Sequence, residues 1–254
     1  MNIHHAEYGM NRAGMCGCPP HLKWMLQEGC VQGIRLQPLM SLQSLTPFGM
    51  EGLSLLDPPV LTELFFKHLP AETALSLFLL QAEILSQKYP DSRLLLNLPV
   101  RALQATDMLD RLLTPRRDLS RNVGIEIQDP GALTGMSGAE RHCLVVTLMV
   151  LREEGWSLWM DDLTPALLPE AGSLCMTFDG VKIDRNEIHR RRYEPRALAH
   201  LVSRCRGLGK QVVVEGIETE ADLQHAQASG ADIGQGFYWP ETMLDLPRPL
   251  RGLL

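Results

Sequence analysis

Eight short apolar runs recur along this chain of 254 residues, and their spacing limits its fold more than any other feature. They are GIRLQPL (33–39), FGMEGLSLL (48–56), RLLLNL (93–98), NVGIEI (122–127), SLWMD (157–161), GVKID (180–184), QVVVEG (211–216) and ADIGQG (231–236). Segments with helical periodicity separate most of them: two helices within 60–89, another at 194–209 and another at 220–230. Strand-like runs alternating with helices imply parallel strands, and eight of them predict an α/β barrel rather than an all-β sandwich. Only MSLQSLTP (40–47) joins the first two runs, which is too short for a helical crossover. That link reads as a hairpin. The expected fold is therefore a modified TIM (β/α)8 barrel with one antiparallel strand.

The chain carries a net charge of -6 and is 45% hydrophobic, which suits one globular domain. Residues 1–20 read as a flexible leader closed by Pro19-Pro20, and 21–254 as a single barrel domain opened by a helix at 21–29. No apolar stretch approaches the roughly 20 residues of a membrane helix, so no membrane partner is expected. The start, MNIHHAEYGMNRAG, is too polar for a secretory signal, so a cytoplasmic location is expected. The acidity argues against a nucleic-acid polymer as partner, and HRRRYEPR (189–196) reads as a solvated loop or helix start. Cys16, Cys18, Cys30, Cys143, Cys175 and Cys205 share no repeated spacing and are expected as thiols. Cys16 and Cys18, with His4, His5 and His21 nearby, lack the second cysteine pair of a structural zinc site.

In a parallel barrel, polar residues at the C-terminal strand ends point into the mouth, where active sites form. Glu51 comes from the second run, Asn97 from the third and Glu126 from the fourth. Asp161 and Asp162 close the fifth, Lys182 and Asp184 the sixth, Glu215 the seventh and Gln235 the eighth. A single carboxylate at a strand end is ordinarily a solvated group or a helix cap, and Asp184 fits that description. Five carboxylates converging on one mouth against Lys182 alone would repel unless cations were bound. Oxygen ligands without His or Cys suit magnesium or manganese. Adjacent Asp161 and Asp162 suit two ions, the arrangement that serves phosphodiester hydrolysis.

In this order the motifs resemble those of the EAL-domain family, bacterial phosphodiesterases that open cyclic di-GMP to linear pGpG on a modified TIM barrel. The resemblance runs from about Leu22 to Pro240. LQPL (36–39) is similar to the family's Tyr-Gln-Pro-Ile, and EGL (51–53) to Glu-Ala-Leu. NLP (97–99), IEIQD (125–129), DDL (161–163), VKID (181–184), VVEGIET (213–219) and QGFYWP (235–240) follow in family order. The resemblance implies that Glu51, Asn97, Glu126 and Asp161 hold one metal and that Asp161 and Asp162 bind or bridge to the second. It implies that Lys182 orients or polarises the attacking water, that Glu215 is a ligand or proton acceptor, and that Gln235 hydrogen-bonds at the cluster. Gln37 and Leu53 would touch the dinucleotide.

Three departures concern the same functional unit. Leu55 stands where the family has an arginine that grips a substrate phosphate; losing such a contact costs roughly 1.5–3 kcal/mol, about ten- to a hundredfold in affinity. Leu163-Thr164-Pro165-Ala166 replaces a loop with two glycines, and proline fixes φ where glycine is free. Gln128 and Asp129 replace the Thr and Glu that brace that loop.

Two function classes follow. The favoured one is metal-dependent hydrolysis of cyclic di-GMP, slow or weak-binding. The alternative is a degenerate EAL-like regulator that binds a protein without catalysis; a receptor that binds the dinucleotide uncut ranks lowest, and a homodimer is compatible with each. An adaptor needs an exposed apolar patch. LFFKHL (64–69), FYW (237–239) and the Met and Leu residues of HCLVVTLMVL (142–151) are the candidates, and core packing is the expected reading of all three.

Overall fold

A computed structural model describes residues 31–56, 62–104, 106–113, 119–192 and 194–245. The leader, the helix expected at 21–29, Cys16, Cys18, Cys30 and the three early histidines lie outside the described residues.

Each of the eight apolar runs falls in a strand. These are β1 (Val31–Ser41), β2 (Pro47–Leu56), β3 (Leu94–Pro99), β4 (Val123–Gln128), β5 (Ser157–Leu163), β6 (Phe178–Ile183), β7 (Gly209–Val214) and β8 (Ile233–Gln235). A ninth strand, β9 (Thr242–Asp245), has no counterpart among the expected runs. The helices are α1 (Thr62–His68), α2 (Ala71–Lys88), α3 (Val100–Leu103), α4 (Thr106–Leu113), α5 (Gly138–Glu153), α6 (Leu168–Gly172), α7 (Arg185–Arg190), α8 (Pro195–Cys205) and α9 (Glu220–Ala228).

The sheet runs β2-β3-β4-β5-β6-β7-β8-β1-β9, and a β1–β2 pairing closes it. From β2 to β8 every pairing is parallel, whereas β1 is antiparallel to both of its barrel neighbours. The expected hairpin is therefore present, with one inverted strand. Because β8 is short, it covers only Leu39–Ser41 of β1, and β9 pairs with the other half, Gly33–Leu36. None of the helices among the described residues is long and apolar enough to cross a membrane.

Strand alternation splits the core in two. The outward face, exemplified by Leu96, Ile125, Met160, Val181 and Val214, packs against the helices in one large cluster. The inward face builds a small plug of Leu39, Leu95, Trp159, Val213 and Ile233. Trp159 fits because Gly180 beside it on β6 has no side chain; a Cβ there would overlap the indole ring.

Helix starts follow local chemistry. Ser137 and Glu140 form a reciprocal capping box at α5, and Thr219 with Asp222 does the same at α9. Asp184 accepts from the Asn186 backbone N–H at 2.8 Å, so it caps α7 as the bland reading of that residue required. Arg190 and Arg191 pair with Glu187, and Arg192 pairs with Asp222 at 2.9 Å. Part of the basic run is thus neutralised internally.

Two expectations about core packing need correction. In α5, Leu144, Leu148 and Leu151 face the barrel, but Val146 and Met149 are 45% and 51% exposed. In 237–239, Phe237 is 61% exposed and Tyr238 also faces solvent, while Trp239 packs on the core. The FYW stretch follows the last barrel strand, β8. LFFKHL behaves as expected, with Phe65 and Leu69 buried.

Candidate active site

Two residues beyond the plug, in the direction of the mouth, each of the eight barrel strands or the residue following it presents one polar side chain. β1 gives Gln37, β2 Glu51, β3 Asn97, β4 Glu126, β5 Asp161, β6 Lys182 and β8 Gln235, and Glu215 is the first residue past the end of β7. The period-two alternation of a strand carries the pattern, and β1 contributes in reverse because it runs the other way. The register confirms one layer: Gln37 lies opposite Glu51, and Asn97 opposite Glu126.

Lys182 stands at the centre, 1% exposed. Its ammonium lies 2.9 Å from Glu51, 2.6 Å from Glu215 and 3.4 Å from Asp161, and it also contacts Glu126. Asn97 donates to Glu51 Oε1 at 2.8 Å. Gln235 donates to Glu51 Oε2 at 2.5 Å and to Gln37 Oε1 at 2.8 Å. Glu126 is fully buried against Lys182 and does not line the cavity.

Asp162 joins this layer through a bulge. Between β5 and β6 the register passes from Met160–Val181 to Leu163–Ile183, so β5 holds one extra residue. Asp162 takes it up with φ 53°, in the left-handed region where Asp is among the tolerated residues. Asp161 and Asp162 can then both turn to the mouth, although neighbours in a regular strand point to opposite faces. Beyond them a turn closed by a Leu167-to-Thr164 hydrogen bond at 3.0 Å leads into α6. Pro165 occupies its second position, where a fixed φ is favourable. Residues 163–166 do not line the cavity.

The electrostatics follow from crowding like charges in a buried layer. Burial pulls Lys182 down, but Asp161, Glu126, Glu215 and Glu51 together hold it well above its ordinary value. Burial, then the Glu51 charge, pushes Glu126 well up. Burial, then Asp161, does the same to Glu215. Asp161 is raised, chiefly by burial. Asp162 is raised to about 7, first by Asp161 and then by burial. Glu51 moves the other way: burial would raise it, but the Lys182 ammonium and the hydrogen bonds from Gln235 and Asn97 hold it below its usual range.

This donor set fits hard divalent cations. Oxygens of Glu51, Glu126 and Glu215 lie within 4.8 Å of one another, as do those of Asp161, Asp162 and Glu215. The two triads share Glu215. Asn97 Oδ1, Glu126 Oε2 and Gln235 Oε1 are buried without a hydrogen-bond partner, a costly state that a cation would relieve. Carboxylate and amide oxygens are the donors that hard divalent cations take.

Above the layer opens a cavity of ≈ 1130 Å³, walled by Arg35, Gln37, Leu53, Arg101, Asp162 and Phe237 among others. Leu53 thus stands on the wall, one step outward from Glu51. Glu218 and Asn186 are among the wall residues to which the sequence reading gives no role. Near the mouth lies Glu241, which accepts from Gln37 Nε2 at 3.0 Å and sits 3.6 Å from Arg35. Glu241 was invisible because the strand it precedes, β9, has no apolar alternation. Arg101 and Asp129 pair at 3.3 Å on the rim.

Solved structures share this architecture. The EAL enzyme Bd1971 in its cGMP-bound form aligns with a TM-score of 0.68 at 18% identity, over 90% of this chain and 66% of that one. BlrP1 of Klebsiella pneumoniae, in a calcium and cyclic di-GMP complex, aligns with a TM-score of 0.67 at 20% identity, over 91% and 63%. The FimX EAL domain of Xanthomonas citri, in complex with cyclic di-GMP, aligns with a TM-score of 0.67 at 14% identity, over 87% and 93%. The chain thus spans just under two thirds of the first two proteins. No curated protein sequence matches it. The EAL domain family model matches residues 33–241, a span that holds β2 to β8, all but the first two residues of β1 and every residue of the polar layer, and the chain belongs to the EAL domain family.

Proposed function

We propose that this chain is a phosphodiesterase that opens cyclic di-GMP to linear pGpG with two divalent cations, magnesium or manganese. The observation that carries the reading is the pair of carboxylate triads sharing Glu215, four of whose five residues, Glu51, Asp161, Asp162 and Glu215, line an open cavity. The cyclic di-GMP bound in the BlrP1 and FimX structures supplies the substrate class. Hydrolysis is favoured over mere folding because a buried cluster of acids destabilises a protein that has no use for cations.

Glu51, Asn97, Glu126 and Asp161 would hold one ion, and Asp161, Asp162 and Glu215 the other. Bound there, such ions supply Lewis acidity at a phosphodiester and lower the pKa of water. The chain's own groups do the rest. Lys182 balances the carboxylates and orients the attacking water. Glu215 would act beside it as ligand or proton acceptor. Gln235 keeps Glu51 and Gln37 aligned through its two donated hydrogen bonds. Gln37 and Leu53 contact the dinucleotide from β1 and β2.

The deciding experiment incubates the purified chain with cyclic di-GMP and manganese and follows pGpG by chromatography, with Glu51→Ala alongside. Metal-dependent product that vanishes in the variant is the expected result. Absence of both product and calorimetric binding would overturn the reading.

A second reading, a regulator that binds a protein partner or a second copy, is favoured by one observation. Ala139, Cys143, Val146 and Met149 form an exposed, largely apolar stripe on α5, away from the mouth. Such a protein would bind its partner equally well in chelator.

A further inference from the structure

The proposed ligand carries two phosphates, and the cation layer serves one of them. The other needs a positive group elsewhere on the wall, and Leu55 offers none. Among the described residues, five Lys and Arg side chains line the cavity: Arg35, Lys67, Arg101, Lys182 and Arg185. Lys182 is spent on the carboxylates. Arg101 donates to the Phe66 carbonyl at 2.8 Å and the Leu69 carbonyl at 2.9 Å, and pairs with Asp129. It pins α1 and the loop after β4. Lys67 and Arg185 stand on helices, α1 and α7.

Arg35 is differently placed. It shares the inward face of β1 with Gln37 and Leu39, one layer beyond Gln37 toward the mouth. Two residues along a strand set that layer about 6.7 Å above the carboxylates. Its cross-strand neighbour is Leu53, and the next inward residue of β2 is Leu55, which faces Gly33. Arg35 therefore occupies the position diagonal to Leu55, within reach of a long side chain across an antiparallel pair. Its guanidinium side chain is partly exposed and makes an ionic contact of 3.6 Å with Glu241, longer than a hydrogen bond. Glu241 itself is mostly buried and also accepts from Gln37.

We propose that Arg35 is the phosphate-binding cation of this cavity, replacing from β1 the charge that Leu55 lacks on β2, and that Glu241 is the internal anion the phosphate displaces. This rests on the cyclic dinucleotide reading. A planar guanidinium suits the role because it can donate two parallel hydrogen bonds to a phosphate. The 3.6 Å contact is loose enough to exchange for two shorter ones, and Gln37 keeps Glu241 in place when Arg35 turns away. Glu241 also repels an arriving phosphate, so it lowers affinity in the unmodified chain.

The test is calorimetric titration of cyclic di-GMP with Ca2+ present, the ion paired with the dinucleotide in the BlrP1 complex. Arg35→Ala is expected to weaken binding roughly ten- to a hundredfold. Adding Leu55→Arg to that variant should recover most of the loss, because the charge returns to the same region from the neighbouring strand. Glu241→Gln should tighten binding. Mn2+ titrated alone should bind Arg35→Ala as it binds the parent, which shows that the fold and the carboxylate layer are intact. Equal affinity of the parent and Arg35→Ala would overturn the assignment of Arg35 while leaving the cyclic dinucleotide reading standing. No binding by the parent would overturn that reading and this one with it.

Discussion

Lys182 and Glu51, 131 positions apart in sequence, meet at 2.9 Å in the buried centre of the barrel. Lys182 is the single cation at the heart of five carboxylates among the described residues, so removing it leaves those charges unopposed. Lys182→Met is expected to destabilise the metal-free protein by about 3–5 kcal/mol, the range found when one partner of a buried ion pair is lost. Urea unfolding in chelator measures it. A loss below about 1 kcal/mol would show that the layer is solvated and the ammonium dispensable.

The carboxylate shifts set the pH dependence of the metal-free chain. Glu126, Glu215, Asp161 and Asp162 are all raised on folding from ordinary values of 3.8 or 4.5. Groups raised in this way contribute stability that is full below the unfolded value and is lost as pH climbs through the folded one. Glu51, which is lowered, works oppositely, and its contribution fades as pH falls. Four groups outweigh one. The melting temperature in chelator is expected to fall as pH rises from the ordinary carboxylate range through about 7, where Asp162 titrates. A melting temperature that rose steadily over that interval would contradict the arrangement.

Divalent cations should reverse that trend, since they bind the deprotonated layer. At a hundred times its dissociation constant a ligand of the folded state adds about 2.7 kcal/mol. Manganese should therefore raise the melting temperature more at pH 8 than at pH 5. Glu126→Gln should blunt the effect, whereas an exposed carboxylate variant such as Glu153→Gln should not. Thermal scans with manganese and then excess chelator decide it.

Trp159 depends on the empty space at Gly180. A Cβ at 180 would overlap the indole ring, which is buried in the barrel plug and has no room to retreat. Gly180→Ala is expected to cost about 1–3 kcal/mol, the usual penalty of overpacking. For a chain of this size each kcal/mol lowers the melting temperature by about 2–4 °C. An unchanged melting temperature would mean that Trp159 can rotate within the plug.

Much of this was legible in the residues themselves. Eight runs with polar termini were enough to name Glu51, Asn97, Glu126, Asp161, Lys182, Glu215 and Gln235, because a strand's two-residue period ties each polar residue to its apolar neighbour at the plug. The inverted first strand was legible for an equally local reason, since the hairpin between β1 and β2 leaves no room for a crossover. Gln37 and Leu53 were named from motif resemblance, and the register places both toward the cavity.

What only the tertiary structure decided depends on groups far apart in the chain. The bulge that brings Asp162 round to the mouth appears only when β5 is set against β6. β9, four residues without apolar alternation, is a strand because β8 is too short to cover β1. Met149 and Phe237 looked like core by residue type, yet among the described residues both are exposed. Arg35 and Arg101 both line the cavity, and packing separates them. Two backbone carbonyls and Asp129 engage Arg101, whereas Arg35 faces Glu241 across an open wall. Local periodicity assigns a side chain to a face; only the closed barrel determines which other charges share that face with it.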